Sequence, residues 1–305
     1  MTRLLVTGGA GFIGSHTVER LLAQGYPVRV LDDFSTGHLD NLPHHSRLSI
    51  ITGDIRSRRV VEEAMQGVTH VLHLAAQVSV AASVEAPVSS ASINVTGFLN
   101  VLDAARAQRV RRLVYASSAA VYGMPARLPI DEDAPTAPIS PYGLEKEIND
   151  RYAALYRDLY GLPTLGLRYF NVYGPRQDPN SPYSGVISIF CRRLREARPL
   201  SVFGDGLQTR DFIYVGDVAR ANAAALEGGL TGVCNVATGE SISLRTLIKA
   251  LGAVAGKQPL VSYGEARAGD IRESAADNRR LVTALRVSEF EPLGRGLTRL
   301  WASCA

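Results

Sequence analysis

The chain has 305 residues, is 46% hydrophobic and 20% charged, and carries a formal net charge of +4. That balance describes an ordinary globular protein, long enough for one sizeable core plus a smaller lobe. It excludes a disordered or fibrous chain, and no apolar run approaches the roughly 18 residues of a membrane span.

In chain order, Leu4-Leu5-Val6, Val28-Arg29-Val30-Leu31, Leu48-Ser49-Ile50-Ile51, His70-Val71-Leu72-His73 and Leu113-Val114-Tyr115 read as strands buried on both faces. Between them, Ile13, Val18, Leu21 and Leu22 share one helical face, as do Val95, Phe98, Leu99, Leu102 and Ala105. Long helices are expected near 88–107 and 142–160. Strand-helix repetition of this kind predicts a doubly wound parallel sheet over residues 1–170. After about residue 170 the Gly-Pro, Asp-Pro and Ser-Pro breakers between Gly174 and Pro182 loosen the pattern. A small α+β substrate lobe is expected over 171–305, with a strand and helix near Phe212 to Glu227 returning to the first domain (212–236 in all).

Cys191, Cys234 and Cys304 stand far apart, and His44-His45 has no flanking acid or cysteine, so no metal or disulfide site is expected. Arginines such as Arg56, Arg58, Arg59, Arg106, Arg109, Arg111 and Arg112 read as solvated faces, not as a nucleic-acid surface. Met1-Thr2-Arg3 leads straight into the first strand without a leader pattern, so a cytoplasmic location is expected.

Gly8-Gly9-Ala10-Gly11-Phe12-Ile13-Gly14 joins the first strand to the first helix. Gly8 permits the turn, Gly11 lets backbone amides approach a pyrophosphate, and Gly14 lets helix and strand pack closely. The second strand ends at Asp32, where a carboxylate would accept hydrogen bonds from the adenine-ribose hydroxyls. An acid there repels a 2′-phosphate, and no Arg follows until Arg47, so NAD is favoured over NADP.

Tyr142 and Lys146 lie four apart, one turn along the same helical face. With twelve Tyr and three Lys in the chain, about 0.12 such pairs are expected by chance, so the match carries weight. A phenol titrates near ~10, so service as a base at neutral pH needs a depression of ~4 kcal/mol. A cation at ~4 Å supplies about that much at an effective dielectric of ~20. Lys146 and a positive nicotinamide ring are the expected sources. Ser118 follows a strand's C-terminal end, where such folds hold ligands, and its hydroxyl can bridge a sugar oxygen and Tyr142. A serine merely capping backbone groups would fit that segment equally well.

In these motifs the sequence resembles the extended short-chain dehydrogenase/reductase family, and within it the UDP-hexose 4-epimerases. The likeness spans essentially the whole chain. It includes Leu31-Asp32-Asp33, Gly53-Asp54-Ile55, His73-Leu74-Ala75-Ala76, Asn94-Val95-Thr96-Gly97, Arg168-Tyr169-Phe170-Asn171, Arg210-Asp211-Phe212 and Arg267-Ala268-Gly269-Asp270. The resemblance implies an α/β Rossmann fold and a tightly held NAD. It assigns cofactor contacts to the glycine loop with Phe12 and Ile13, and to Asp32, Asp33, Phe34, Ser35 and Gly37. Asp54 and Ile55 would meet the adenine. Leu74, Ala75, Ala76, Gln77 and Asn94 would wall the pyrophosphate and nicotinamide ribose, and Phe170 would face the nicotinamide.

For the UDP-sugar, the resemblance implies contacts from Asn171, Val186, Phe203, Arg210, Arg267 and Asp270, with Ser118 and Tyr142 at the reacting carbon. Arginines suit a diphosphate because their planar donors grip two oxygens at once. Related 4,6-dehydratases carry an Asp-Glu pair, and related decarboxylases an acid at its second position, where this chain has Ala119 and Ala120. Without that equipment a 4-keto sugar can only be reduced again, which points to epimerisation. Ser274 stands where relatives restricted to plain hexoses often have Tyr, which leaves room for a 2-acetamido group. Gly174-Pro175-Arg176-Gln177-Asp178-Pro179 likewise resembles the subgroup acting on UDP-N-acetylhexosamines. A homodimer pairing the two long helices is also implied. A UDP-sugar dehydratase or decarboxylase, or a non-catalytic NAD-binding regulator, remain as alternatives.

Overall fold

The apolar runs of the N-terminal half become strands β1 (Leu4–Thr7), β2 (Val28–Asp32), β3 (Leu48–Thr52), β4 (His70–His73), β5 (Arg112–Ser118) and β6 (Thr164–Tyr169). Our computed structural model describes residues 2–178, 185–266 and 271–303. Beyond β6 follow β7 (Asn171–Tyr173), β8 (Leu200–Phe203), β9 (Thr209–Tyr214), β10 (Gly232–Val236), β11 (Ser241–Ser243) and β12 (Val261–Gly264). Seven strands form one sheet in the order β10-β6-β5-β4-β1-β2-β3, with every pairing parallel. The chain order therefore reverses between β1 and β4. The crevice above that reversal, at the carboxyl ends of the strands, is where such sheets bind ligands.

Each face of the sheet buries its own apolar layer. On one, Val18, Leu21 and Leu22 of helix Phe12–Ala23 meet Val218 and Ala221 of helix Val215–Glu227 over Val6, Val30 and Val114. On the other, Val61, Phe98, Val101 and Ala153 cover Leu5, Leu31, Val71 and Leu113. Side chains such as Phe98 and Leu5 are fully buried, each contributing about 1.5–3 kcal/mol of transfer energy. A third core gathers Tyr173, Phe190, Leu200, Val202, Leu247 and Leu297 around the small sheets β11-β9-β7 and β12-β8.

Three expectations change. Among the described residues no strand pairs beyond β3, and this edge strand has Ser49 and Ile50 exposed, so it is not buried on both faces. Thr209–Tyr214 does not enter the large sheet. It pairs with β11 and β7, and the strand that joins the large sheet is β10, beside β6. The expected long helix near 88–107 runs without interruption over Pro87–Ala91, Ser92–Gly97 and Phe98–Ala107, but its middle segment is a π-helical turn. A π-turn inserts one extra residue per turn and shifts which side chains face inward. Here it carries the buried Asn94.

Candidate active site

The first helix starts at Phe12, directly after the glycines. Gly8 has φ +68, and a Cβ there would lie 2.6 Å from Ala75 N, in the turn after β4. At Gly14 a Cβ would press on Gly9 Cα at 2.8 Å, whereas at Gly11 it would meet only Gly8 O at 3.3 Å. Two glycines thus permit close packing, and the third faces comparatively open space in front of the helix N-terminus. That cradle, with a free helix end and no side chain in its mouth, fits the pyrophosphate of a dinucleotide.

Asp32 is buried, and its carboxylate spans the loops: Oδ2 accepts from Ala10 N at 2.8 Å and Oδ1 from Phe34 N at 2.9 Å. Burial raises its pKa above the usual carboxylate range, while those two amide bonds hold it back. Asp33 is exposed and accepts from the Ser35 amide and hydroxyl, and Gly37 closes on Ala10. Arg47 donates to Gly25 O, and Arg56 pairs with Asp54. Neither arginine is held for a 2′-phosphate. Ile55 is buried beside the π-turn, against Gly97.

Asp32→Ala would leave two loop amides without their acceptor, each worth about 1–3 kcal/mol when buried. The variant is therefore expected to release clearly less NAD(H) per protomer on denaturation than the parent. Equal release, measured by absorbance and enzymatic cycling, would remove Asp32 from cofactor retention.

The helix Pro141–Tyr160 starts on a Ser-Pro pair. Ser140 Oγ accepts from Gly143 N at 3.1 Å, and Pro141 occupies a first-turn position that needs no donor. Tyr142 is thereby fixed in the first turn. Its amide donates to Ser83 Oγ at 3.1 Å, and its phenol hydrogen-bonds the Ser118 hydroxyl at the end of β5. Lys146 is buried one turn on, donates from Nζ to Ala116 O at 3.0 Å, and lies 5.7 Å from the centre of the Tyr142 ring. Ala119 and Ala120 lie against the same turn: a Cβ at Gly143 would come within 2.7 Å of Ala120 O.

Burial dominates the electrostatics of this cluster. Tyr142 is partly buried, and burial of its hydroxyl pushes the phenol up to about 12; Ser118 lowers it and Glu145 raises it further. Lys146 is brought down to about 8 by burial, against the opposing pull of Asp150 and Glu145. His73, paired through Nδ1 with Thr7 Oγ1 at 2.7 Å, falls to about 3 by burial and the nearby lysine, and so stays neutral. The sequence arithmetic set a cation against the phenol and left out desolvation. In the folded protein burial dominates the phenol, and positive charge or hydrogen bonding from ligands is needed to bring it down.

Of the other expected residues, Leu74, Ala75, Ala76 and Gln77 follow β4 within the crevice. Asn94 Oδ1 accepts from Gln77 N at 2.9 Å, and its Nδ2 donates to Gln77 O at 2.8 Å. Phe170 is buried against Tyr122. Asn171 Nδ2 donates to Asp211 O at 3.1 Å, and Arg210 Nη1 to Ile271 O at 2.6 Å. Val186 opens helix Val186–Arg195, and Phe203 ends β8 with its ring half exposed. Ser274 is buried. It follows Ile271–Glu273, which with Met124–Leu128 lines a cavity of about 430 Å3. Another cavity of about 490 Å3, between Tyr214, Arg220, Phe290 and Arg299, contains none of the expected site residues. Arg267 and Asp270, expected to hold the diphosphate and uridine, lie outside the described residues, as do Pro179, Pro182 and Cys304.

Sequence reasoning missed the buried network beneath the site. Arg168 pairs with Asp150 at 3.1 Å and donates to Tyr122 Oη at 2.8 Å, while Tyr115 Oη donates to Asp150 at 3.0 Å. Asp150 lies four residues past Lys146, so continuing the Tyr142-Lys146 spacing by one more turn would have found it. Glu145 was missed as well, and no spacing signals it.

The sheet order, the glycine cradle and the Ser118–Tyr142–Lys146 cluster together define an NAD-binding enzyme of the extended short-chain dehydrogenase/reductase class. The family model for the NAD dependent epimerase/dehydratase family matches residues 4–237. A UDP-glucose 4-epimerase from Mycolicibacterium smegmatis is 39% identical over 307 residues, covering 97% of this chain and 96% of that protein. The structure of a UDP-N-acetylglucosamine 4-epimerase from Methanobrevibacter ruminantium in complex with UDP-N-acetylmuramic acid superposes with a TM-score of 0.95 at 35% identity, covering 99% and 98%. The NAD complex of a UDP-glucose 4-epimerase from Thermus thermophilus gives 0.92 at 41% identity, with the same coverage. The chain belongs to the NAD dependent epimerase/dehydratase family, and its cofactor is NAD.

Proposed function

We propose that this enzyme inverts C4 of a UDP-hexose through a 4-keto sugar. One observation carries the reading: Tyr142, Ser118 and Lys146 share a buried cluster whose neighbouring turn offers only Ala119 and Ala120, with no acid for eliminating water or losing carbon dioxide. NAD held in the glycine cradle would supply a reversible hydride acceptor for C4. Tyr142 Oη takes the proton of the C4 hydroxyl and later gives it back, and Ser118 Oγ holds the sugar oxygen in line with it. Lys146 contributes positive charge beneath the phenol, and its bond to Ala116 O keeps Nζ there. The keto sugar turns about its bond to the diphosphate, so that its other face meets the returning hydride. The glycine loop, Asp32 and Asn94 hold the cofactor, and Asn171, Phe203, Arg210, Arg267 and Asp270 hold the UDP.

The substrate class we favour is UDP-GlcNAc/UDP-GalNAc, with UDP-glucose/UDP-galactose also accepted. Support comes from the small, buried Ser274, which the family resemblance puts beside C2 of the hexose, and from the methanogen relative. Purified protein incubated without added NAD should convert UDP-GlcNAc to its C4 epimer, read by chromatography. If only a dehydrated or decarboxylated product formed, the epimerase reading would fall.

We also propose a homodimer joined through the helix Pro141–Tyr160 and the segment before the π-turn. Leu144, Leu155, Leu159 and Val88 are exposed on these helices and form an apolar face that solvent does not favour. Sedimentation should give twice the chain mass, and Leu155→Glu with Leu159→Glu should give monomer. A parent that sediments as a monomer would refute this.

A further inference from the structure

Glu145 sits between the two residues of the Tyr142/Lys146 pair, only 4% exposed. Its Oε2 accepts from Ser90 Oγ at 2.8 Å and from Asn94 Nδ2 at 2.6 Å, while Oε1 has no hydrogen-bond partner. From Asn94 the connection runs on. Gln77 is held by both Asn94 bonds, and its own amide pairs with the Ser79 backbone. Ser79 Oγ caps helix Val80–Glu85 by accepting from Ala82 N, and Ser83 on that helix accepts from Tyr142 N. Hydrogen bonds and the intervening backbone therefore join the start of the Tyr142 helix to the loop after β4 and to the π-turn.

We propose that Glu145 is a positioning residue of this site: its buried carboxylate ties the Tyr142 turn to the Asn94–Gln77 loop and supplies the negative charge against which the Tyr142/Lys146 proton pair is set. A buried carboxylate with one open oxygen is costly unless its charge does something for its surroundings. Lys146, equally buried, is the adjacent cation. Glu145 favours the protonated form of both partners, raising the lysine and the phenol alike.

Asp150 also raises Lys146, ahead of Glu145, and only Glu145 raises the phenol as well; the remaining charged or titratable groups around this helix are engaged elsewhere. Asp150 is taken by Arg168 and Tyr115, Tyr122 by Arg168 and Asn235, and Asp103 by Tyr156. His73 on β4 is neutral, Cys234 on β10 faces Glu132, and Glu85 is exposed. Glu145 is the acid on the Asn94 side of the pair.

The inference rests on Tyr142 acting as acid-base group. Glu145→Gln keeps the shape and removes the charge. In the NAD-loaded enzyme, both limbs of the kcat against pH profile should move to lower pH, by about one unit. The phenolate absorbance of Tyr142, taken against Tyr142→Phe, should likewise appear at lower pH. Ser90→Ala, which removes a hydrogen bond and keeps the charge, should leave the limbs where they are, and Glu145→Asp should restore them. A uniform fall in kcat with limbs and phenolate titration unmoved would overturn the proposal, as would an Asp variant that shifts like Gln. A parent that makes no epimer would refute the epimerase reading, while the phenolate titration would still judge Glu145.

Discussion

Tyr142→Phe is expected to cut epimer formation by on the order of 10² or more, while the protein folds and keeps its NAD. The phenol hydroxyl is the group proposed to exchange a proton with a substrate hydroxyl: it meets Ser118, and Lys146 lies 5.7 Å from the ring centre, donating to Ala116 O. Removing one oxygen leaves the ring, the Tyr142 amide bond to Ser83 and the glycine cradle in place, so NAD content and thermal unfolding should stay close to the parent. The raised phenol titration gives the loss its size. A group held near 12 by burial becomes a base only when bound positive charge brings it down, and neither water nor Ser118 can take over that tuned role. Turnover within a few-fold of the parent would remove Tyr142 from proton transfer.

Ser274→Tyr is expected to lower the ratio of kcat/KM for UDP-GlcNAc over UDP-glucose by on the order of 10². Ser274 is buried, directly after the stretch that lines the cavity with Met124–Leu128. Replacing a hydroxymethyl by a phenol adds a whole ring, where even methylene-scale overpacking costs about 1–3 kcal/mol. On the proposed placement of Ser274 beside C2, a 2-acetamido group would clash with such a ring and a bare 2-hydroxyl would still fit. Both sugars are proposed to use this one pocket, so the ratio separates gating from general damage. Both activities falling together would mark a displaced loop, and an unchanged ratio would show that Ser274 is not the gate.

The large sheet was legible because buried parallel strands are short continuous apolar runs, and Leu4-Leu5-Val6 and His70-Val71-Leu72-His73 are unambiguous ones. The glycine loop was legible for a similar reason: Gly8 and Gly14 are required by close backbone contacts that no side chain allows. Periodicity fails where geometry departs from 3.6 residues per turn, and so Ser92–Gly97 read as ordinary helix although its π-turn aims Asn94 at Gln77 and Glu145. It also fails for Arg168, Tyr122 and Asn235, whose contacts span up to 113 positions and leave no local pattern. The phenol's titration lay beyond sequence arithmetic because desolvation depends on the packing around the hydroxyl, and Tyr-x-x-x-Lys spacing gives only the cation.

The central claim is that hydride leaves C4 and comes back to the same carbon without escaping. The most direct test uses UDP-hexose carrying deuterium at C4, incubated with the purified protein in ordinary water without added NAD. The account predicts a C4 epimer that keeps the deuterium at C4, read by mass spectrometry and proton NMR of the separated product. An epimer that has lost its label to solvent, or a product lighter by one water, would contradict it.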